Sequence, residues 1–317
     1  MKEHLKEYIE NSKTSEVRGL RILLEYFYAT EIFSKITSQQ KKIISVFGSA
    51  RTKPDSEDYI MAEKLGSLLY KDGFAVVTGA SRGIMQAANA GVANAIAQEL
   101  VKQKKAKNVD EARHSKLYQG RLENHSVGLS ISLPKETDTN PFLGVNATFH
   151  YFMVRKFFFG ALSSGFIACE GGWGTRDELF EILTLVQTGK APLMPVVYLS
   201  KDYDHLERDL KHTIVKKYIS EEDLYLLKLV KTPEQAAKCI RDFYKNIESI
   251  KYEKDESVRV TTKKPVSAKI RSKAEHVLGE DRNLGFSLEW SGHDLVLTNY
   301  SPSSYGYLKR CVDVLNQ

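Results

Sequence analysis

The segment FIACEGGWGTRDELFEILTLVQTGKAP, residues 166–192, sets Gly171, Gly172 and Gly174 directly before a stretch of helical periodicity. Glycine lets a ligand approach the backbone closely, and a helix start offers unpaired N–H groups at the positive end of a dipole. Such a turn, with Thr175 at its edge, suits an anion such as phosphate. In the following helix Leu179, Ile182, Leu183 and Val186 recur at core-facing spacing. At about 100° per residue, Glu178 lies roughly 40° from Ile182, at the rim of that stripe. Asp177 and Glu181 fall on the opposite, solvent face. Glu178 is therefore the acid held between core and cleft, and Asp177 complements the helix dipole. Gly189 and Pro192 end the helix.

Two further turns fall at equivalent places. Gly48 and Ser49 close the apolar run IISVFG, and TGASRGIM (78–85) follows a second buried run. The second turn brings Gly79, Ser81, Arg82 and Gly83 to a helix start, where a hydroxyl and a guanidinium suit phosphate. Neither this turn nor the one at Gly171–Thr175 has the spacing of a triphosphate-binding loop, and GASRGI is not a dinucleotide fingerprint. The stretch TFHYFMVRKFFFGAL (148–162), read as one helix, embeds Arg155 and Lys156 among aromatic groups. A desolvated cation there needs a carboxylate or phosphate partner. Arg155 is placed in the cleft, and Lys156 fits a phosphate contact and a structural salt bridge equally. Cys169 ends a buried strand without a paired histidine, so it reads as core, and His125 and His150 lack metal-ligand spacing.

These groups need a frame. Short apolar runs at 43–48, 74–79, 126–134, 166–169 and 193–199 alternate with helical segments, which implies a parallel sheet covered on both faces. Ligands then bind beyond the carboxyl ends of the strands, where all three glycine turns fall. Residues 1–40 form a helical extension, with one amphipathic helix over 15–36. Residues 41–250 form the α/β domain, and 251–317 a linker followed by a small β-containing extension with a hairpin around SGHD. The polar run 102–125 reads as a solvated insertion, and the basic run 251–275 as the linker.

At 317 residues, with 42% hydrophobic and 27% charged residues, the chain has an ordinary globular composition. The net charge of +6 suits an anionic small ligand as well as nucleic acid and decides neither. The runs KQKKAK and TTKKPVSAKIRSK read as solvated faces, so nucleic-acid binding is not expected. Three scattered cysteines fit a reducing cytoplasm rather than a zinc site or disulfide framework. The charged N-terminus does not read as a secretory signal, and no run spans a bilayer. Aromatic surface on the 148–162 helix, added to the stripe on 15–36, suggests self-association.

The strings VFGSARTKPDSEDYIMAEKLGSLLYKDGFAVVTGASRGIMQAANAGV, FHYFMVRK and EGGWGTRDELFEILTLVQTGK resemble the LOG (Lonely Guy) family over about residues 40–245. Its members were long mislabelled lysine decarboxylases, and no lysine here has a pyridoxal-phosphate context. The motif PGGxGTxxE corresponds to Glu170–Glu178 and MxxRK to Phe152–Lys156. The resemblance implies a Rossmann-like homodimer that hydrolyses the N-glycosidic bond of a nucleoside 5′-monophosphate, as in cytokinin activation, without metal or cofactor. It implies Arg155 and Glu178 as the catalytic pair, a Gly171–Thr175 phosphate turn, and a pocket lined by the two upstream turns. The motif proline is Glu170 here, the motif methionine is Phe152, and a usual glycine-rich turn reads Ala80-Ser81-Arg82. Glu170 opposes an anion unless it points away or pairs with Arg82. The alternative reading is a nucleotide-binding or sensing protein without turnover.

Overall fold

The structure, a computed structural model, describes residues 15–37, 41–133, 139–253, 257–281 and 285–317. Strands β1 (Ile43–Phe47), β2 (Ala75–Thr78), β3 (Ser126–Ile131), β4 (Val145–Phe149), β5 (Ser163–Cys169), β6 (Val196–Leu199) and β7 (Leu227–Val230) form one parallel sheet. Their order is β4-β3-β2-β1-β5-β6-β7. The chain builds outward from β1 to the β4 edge, then returns to lay β5 on the other side of β1. The loops leaving β1 and β5 therefore diverge and open a crevice at their carboxyl ends. The strands are short and apolar because both faces are covered: Ile44 and Val46 point to one core, Ile43 and Phe47 to the other.

Helices α1 (Ser15–Thr37), α2 (Glu57–Lys71) and α3 (Ile84–Lys102) lie near the positions expected from periodicity. The run 102–125 is not a solvated insertion. It folds as α4 (Val109–Arg113) and α5 (Lys116–His125), which bury Ala112, Tyr118 and Leu122. The stretch 148–162 is not one helix either: β4 ends at Phe149, and α6 (Phe152–Leu162) begins three residues later. Next follow α7 (Trp173–Gln187), α8 (Asp204–Val215) and α9 (Pro233–Phe243).

The described residues of the basic run after 251 are structured rather than a linker. Strands β8 (Ile247–Tyr252), β9 (Val258–Thr262), β10 (Ser287–Ser291) and β11 (Asp294–Thr298) make an antiparallel sheet in the order β10-β11-β9-β8. Val258, Val260 and Thr262 alternate inward beneath the charges, and Ser267 caps α10 (Ala268–Gly279) by accepting from the Ile270 N–H. The expected hairpin is β10–β11, turning at Gly292. Helix α11 (Gly306–Leu315) docks on the main domain, where Ser304 donates to Asp223 at 2.7 Å and Asn316 donates to the Phe243 carbonyl at 2.9 Å. Among the described residues no helix is long and apolar enough to cross a membrane.

Candidate functional site

A cavity of about 820 Å³ opens at the carboxyl ends of β1, β2, β3 and β5. Gly48 and Ser49 line it from the first turn and Gly79 and Ser81 from the second. Arg155, Gly172, Gly174, Thr175 and Glu178 line it from α6 and α7. Four expected residues stand elsewhere. Arg82 is exposed and Gly83 is packed against the first turn. Gly171 makes room for the Thr175 side chain. Lys156 turns away and donates to Asp177 at 2.8 Å and to Glu181 at 2.9 Å, so its role is the salt bridge rather than a phosphate contact.

Glu178 is only 4% exposed, beside Leu179 and Ile182 on the buried face of α7. Burial pushes its carboxyl up to about 7, against the opposing pull of Lys156 and Arg155. Arg155 Nη2 stands 3.6 Å from Glu178 Oε1, a loose ion pair rather than a closed fork. Its guanidinium lies 5.0 Å from the Phe152 ring, and its buried Nε has no hydrogen-bond partner among the described residues. Burial lowers the Arg155 pKa, while Glu178 and Asp177 pull the other way. A cation with an unspent donor and an acid poised near neutrality thus share one wall of the cavity.

The start of α7 is open. Gly172 provides no side-chain cap, and no acidic residue occupies the first turn. A Cβ on Gly172 or Gly174 would meet nothing within 4 Å. Glu170 points away: Ser200 Oγ donates to its Oε1 at 2.6 Å, and the Tyr198 hydroxyl hydrogen-bonds it too. The charge that replaces the motif proline is therefore spent behind the turn. Cys169 is buried, and burial pushes its thiol up to about 12, as befits a core residue.

The turn after β2 is closed by comparison. Ala80 adopts φ +64°, a left-handed conformation that side chains resist. Its N–H donates to Thr78 Oγ1 at 3.1 Å, and its carbonyl accepts from the Asn140 N–H at 2.9 Å. Thr78 in turn donates to Asn89 at 2.7 Å, and Asn89 donates to Ser126 at 2.8 Å. This buried network holds the strained turn in place. The Ile84 N–H at the start of α3 donates to the Ser49 carbonyl at 3.1 Å and is no longer free for an anion.

A family model described as "Possible lysine decarboxylase" matches residues 107–240, and one described as "SLOG cluster4 family" matches residues 41–108. A curated "Bifunctional cytokinin biosynthesis protein" from Fusarium pseudograminearum (strain CS3096) is 26% identical over 237 residues. The chain is similar to the LOG family over these segments. The aligned stretch covers 72% of this chain but 47% of the Fusarium relative, so the match spans about half of that protein's length. Among solved structures, a molybdenum cofactor binding protein from Rippkaea orientalis is 22% identical with a TM-score of 0.41, covering 63% of this chain and 96% of its own. The molybdenum cofactor carrier protein of Chlamydomonas reinhardtii is 19% identical with a TM-score of 0.41, covering 63% and 97% respectively.

Sequence reasoning missed Arg51, a second arginine on the cavity wall, and Ala80, whose strain shapes the second turn. Arg51 stands in the GSAR string two residues after Ser49, so its placement in a strand-end loop was a usable signal. The hydroxyls of Ser130 and Thr148, 2.9 Å apart at the ends of β3 and β4, also reach the cavity. Thr148 was hidden because its strand was read as helix.

Proposed function

We propose that this chain, similar to the LOG family, hydrolyses the N-glycosidic bond of a nucleoside 5′-monophosphate, a cytokinin riboside monophosphate or an AMP-like nucleotide. The observation that carries the reading is the buried Glu178 carboxyl beside Arg155, on the helix whose open start faces the same cavity. The phosphate binds at the N–H groups of Gly172–Thr175, next to the Thr175 hydroxyl. The bond between C1′ and the base nitrogen breaks, water delivers hydroxide to C1′, and a proton passes to the leaving base. The products are free base and ribose 5-phosphate. Positive charge builds on the ribose as the bond lengthens, and the Glu178 carboxylate stabilises it in a site of low dielectric. Arg155 anchors the substrate or offsets charge growing on the base. Water is the co-reactant this chemistry calls for.

A panel of purine, pyrimidine and cytokinin monophosphates, assayed for ribose 5-phosphate, tests the reading; no release from any of them would sink it. A nucleotide-binding protein without turnover is the second reading, favoured by the strained Ala80 and the occupied Ile84 N–H in the second turn. In that case calorimetry should show tight binding of a nucleotide that stays intact for hours.

We further infer that the chain self-associates. Met153, Phe157, Trp173 and Phe180 are exposed on α6 and α7, and Leu20, Leu23, Leu24 and Phe27 form an exposed stripe on α1. Light scattering that finds only a 35.9 kDa species at micromolar concentration would contradict this. The free cysteines, with Cys169 and Cys311 buried, support assignment to a reducing, cytoplasmic compartment; fractionation checks it.

A further inference from the structure

Helix α1 lies outside both family-matched segments, which begin at residue 41, yet it bears on the framework of the cavity. It docks on α6 through aromatic contacts: Phe33 lies 4.4 Å from Phe158, and Tyr26 lies 5.4 Å from both Phe157 and Phe158. From that docked helix Glu25 reaches the junction between β4 and α6. Its carboxylate accepts the backbone N–H of His150 and, at 3.2 Å, the N–H of Tyr151. The Glu25 side chain is only 9% exposed, and the solvent-facing His150 ring lies 3.5 Å from it.

A carboxylate in that position is costly to bury unless its oxygens are hydrogen-bonded, so its placement answers a specific need. Tyr151 is the N-cap of α6 and supplies no side-chain cap, and no acidic residue occupies the first turn. Glu25 provides from another helix an acceptor for the N–H groups of the N-cap and the residue before it, and a negative charge that the helix's own first turn lacks. The junction is flanked by cavity residues, with Thr148 before it and Phe152 and Arg155 after it. Glu25 itself does not line the cavity.

We propose that Glu25 is a positioning residue: it fixes the β4–α6 junction and, through it, the direction in which Phe152 and Arg155 enter the cavity. The inference rests on the reading of Arg155 as part of the working site. It makes α1 the carrier of Glu25, and the Glu25 contact at the junction, rather than the aromatic packing of α1, sets the geometry of Arg155.

The test compares Glu25→Ala, Glu25→Gln and Phe33→Leu in the full chain, the last weakening α1 packing while leaving Glu25 in place. Glu25→Ala should speed amide exchange over residues 148–156 by on the order of tenfold. With the best nucleotide of the panel, its kcat should fall about tenfold while KM changes less than about twofold, because a group displaced by a fraction of an ångström loses alignment before it loses binding. Glu25→Gln keeps one acceptor oxygen and should recover part of both effects. Phe33→Leu should lower the melting temperature at least as much without the kcat loss. Unchanged exchange over 148–156 overturns the proposal, as does faster exchange with wild-type kcat, or a kcat loss that Phe33→Leu reproduces. A wild-type protein that turns over no nucleotide removes the hydrolase reading instead, and the exchange comparison then decides by itself whether Glu25 holds the junction.

Discussion

Two glycine-bearing turns face the same cavity from the ends of β2 and β5, on either side of β1, and their glycines answer to different constraints. In the turn before α3, Gly83 has φ +64°, and a Cβ on it would overlap the Ser49 carbonyl. There glycine allows two backbone segments to touch, and the Ile84 N–H closes the contact. In the turn before α7, Gly172 and Gly174 have negative or helical φ and open space where a Cβ would stand. Among the described residues nothing demands glycine at those two positions, and the open space is where we propose that the ligand approaches. One turn builds the wall, and the other is left open for the ligand we propose. Equal glycine content at equivalent places in the topology does not mean equal function; what a Cβ would strike separates the two.

The largest expected effect breaks or confirms the wall. Gly83→Ala should cost about 3 kcal/mol or more, because a strained φ and a backbone overlap add together. Denaturant midpoints measure it, and a variant as stable as wild type would undo the distinction between the turns.

The next effect is a pH dependence on the receiving side. The Glu178 carboxyl is raised to about 7 from an ordinary 4.5, chiefly by burial. A raised carboxyl favours the folded state below pH 4.5 and loses that advantage as pH climbs through 7. Glu178→Gln removes the titration, so its stability relative to wild type should rise by on the order of 1–3 kcal/mol between pH 5 and 8. Unfolding curves at each pH would show it, and a constant difference would contradict the burial argument. In the same range wild-type kcat/KM should climb with a midpoint near the Glu178 pKa if the ionised form does the work.

Gly174→Ala sharpens the comparison at smaller scale. Helix propensity should make the variant more stable by about 0.5–1 kcal/mol. A methyl in the anion's approach should weaken nucleotide binding by about tenfold, or 1.4 kcal/mol. A more stable protein with unchanged affinity would mean the glycine is not there for a ligand. Asp177→Asn should matter least. Its carboxylate is 61% exposed and shares Lys156 with Glu181, so a change under about 0.5 kcal/mol is expected in stability, with turnover kept.

Where hydrophobic period and turn chemistry agreed, the sequence was legible. The face of α7 that buries Glu178 follows from 100° steps among Leu179, Ile182 and Val186, and the sheet follows from runs such as IISVF. Weak or mixed patterns hid the rest. Strand β4 reads VNATF at a sheet edge, half exposed and carrying Asn146 and Thr148, so its period of two is faint beside the aromatic run that follows. Charge concealed the alternation of Val258 and Val260 in β9. Lys156 could not be assigned because its partners, Asp177 and Glu181, lie one turn apart on a different helix, a contact that only tertiary packing creates. The Glu25 cap is hidden for the same reason, since 125 residues separate donor from acceptor.

The central claim is that the Glu178 carboxylate acts on the ribose of a bound nucleotide. Its most direct test measures free base and ribose 5-phosphate released by wild type and by Glu178→Gln, alongside the dissociation constant of each for the same nucleoside monophosphate. The account predicts equimolar base and ribose 5-phosphate from wild type, and a loss of about 10²–10³ in turnover in the variant with affinity nearly intact. Release by Glu178→Gln at the wild-type rate would contradict it, as would a wild-type protein that binds nucleotides and leaves every glycosidic bond intact.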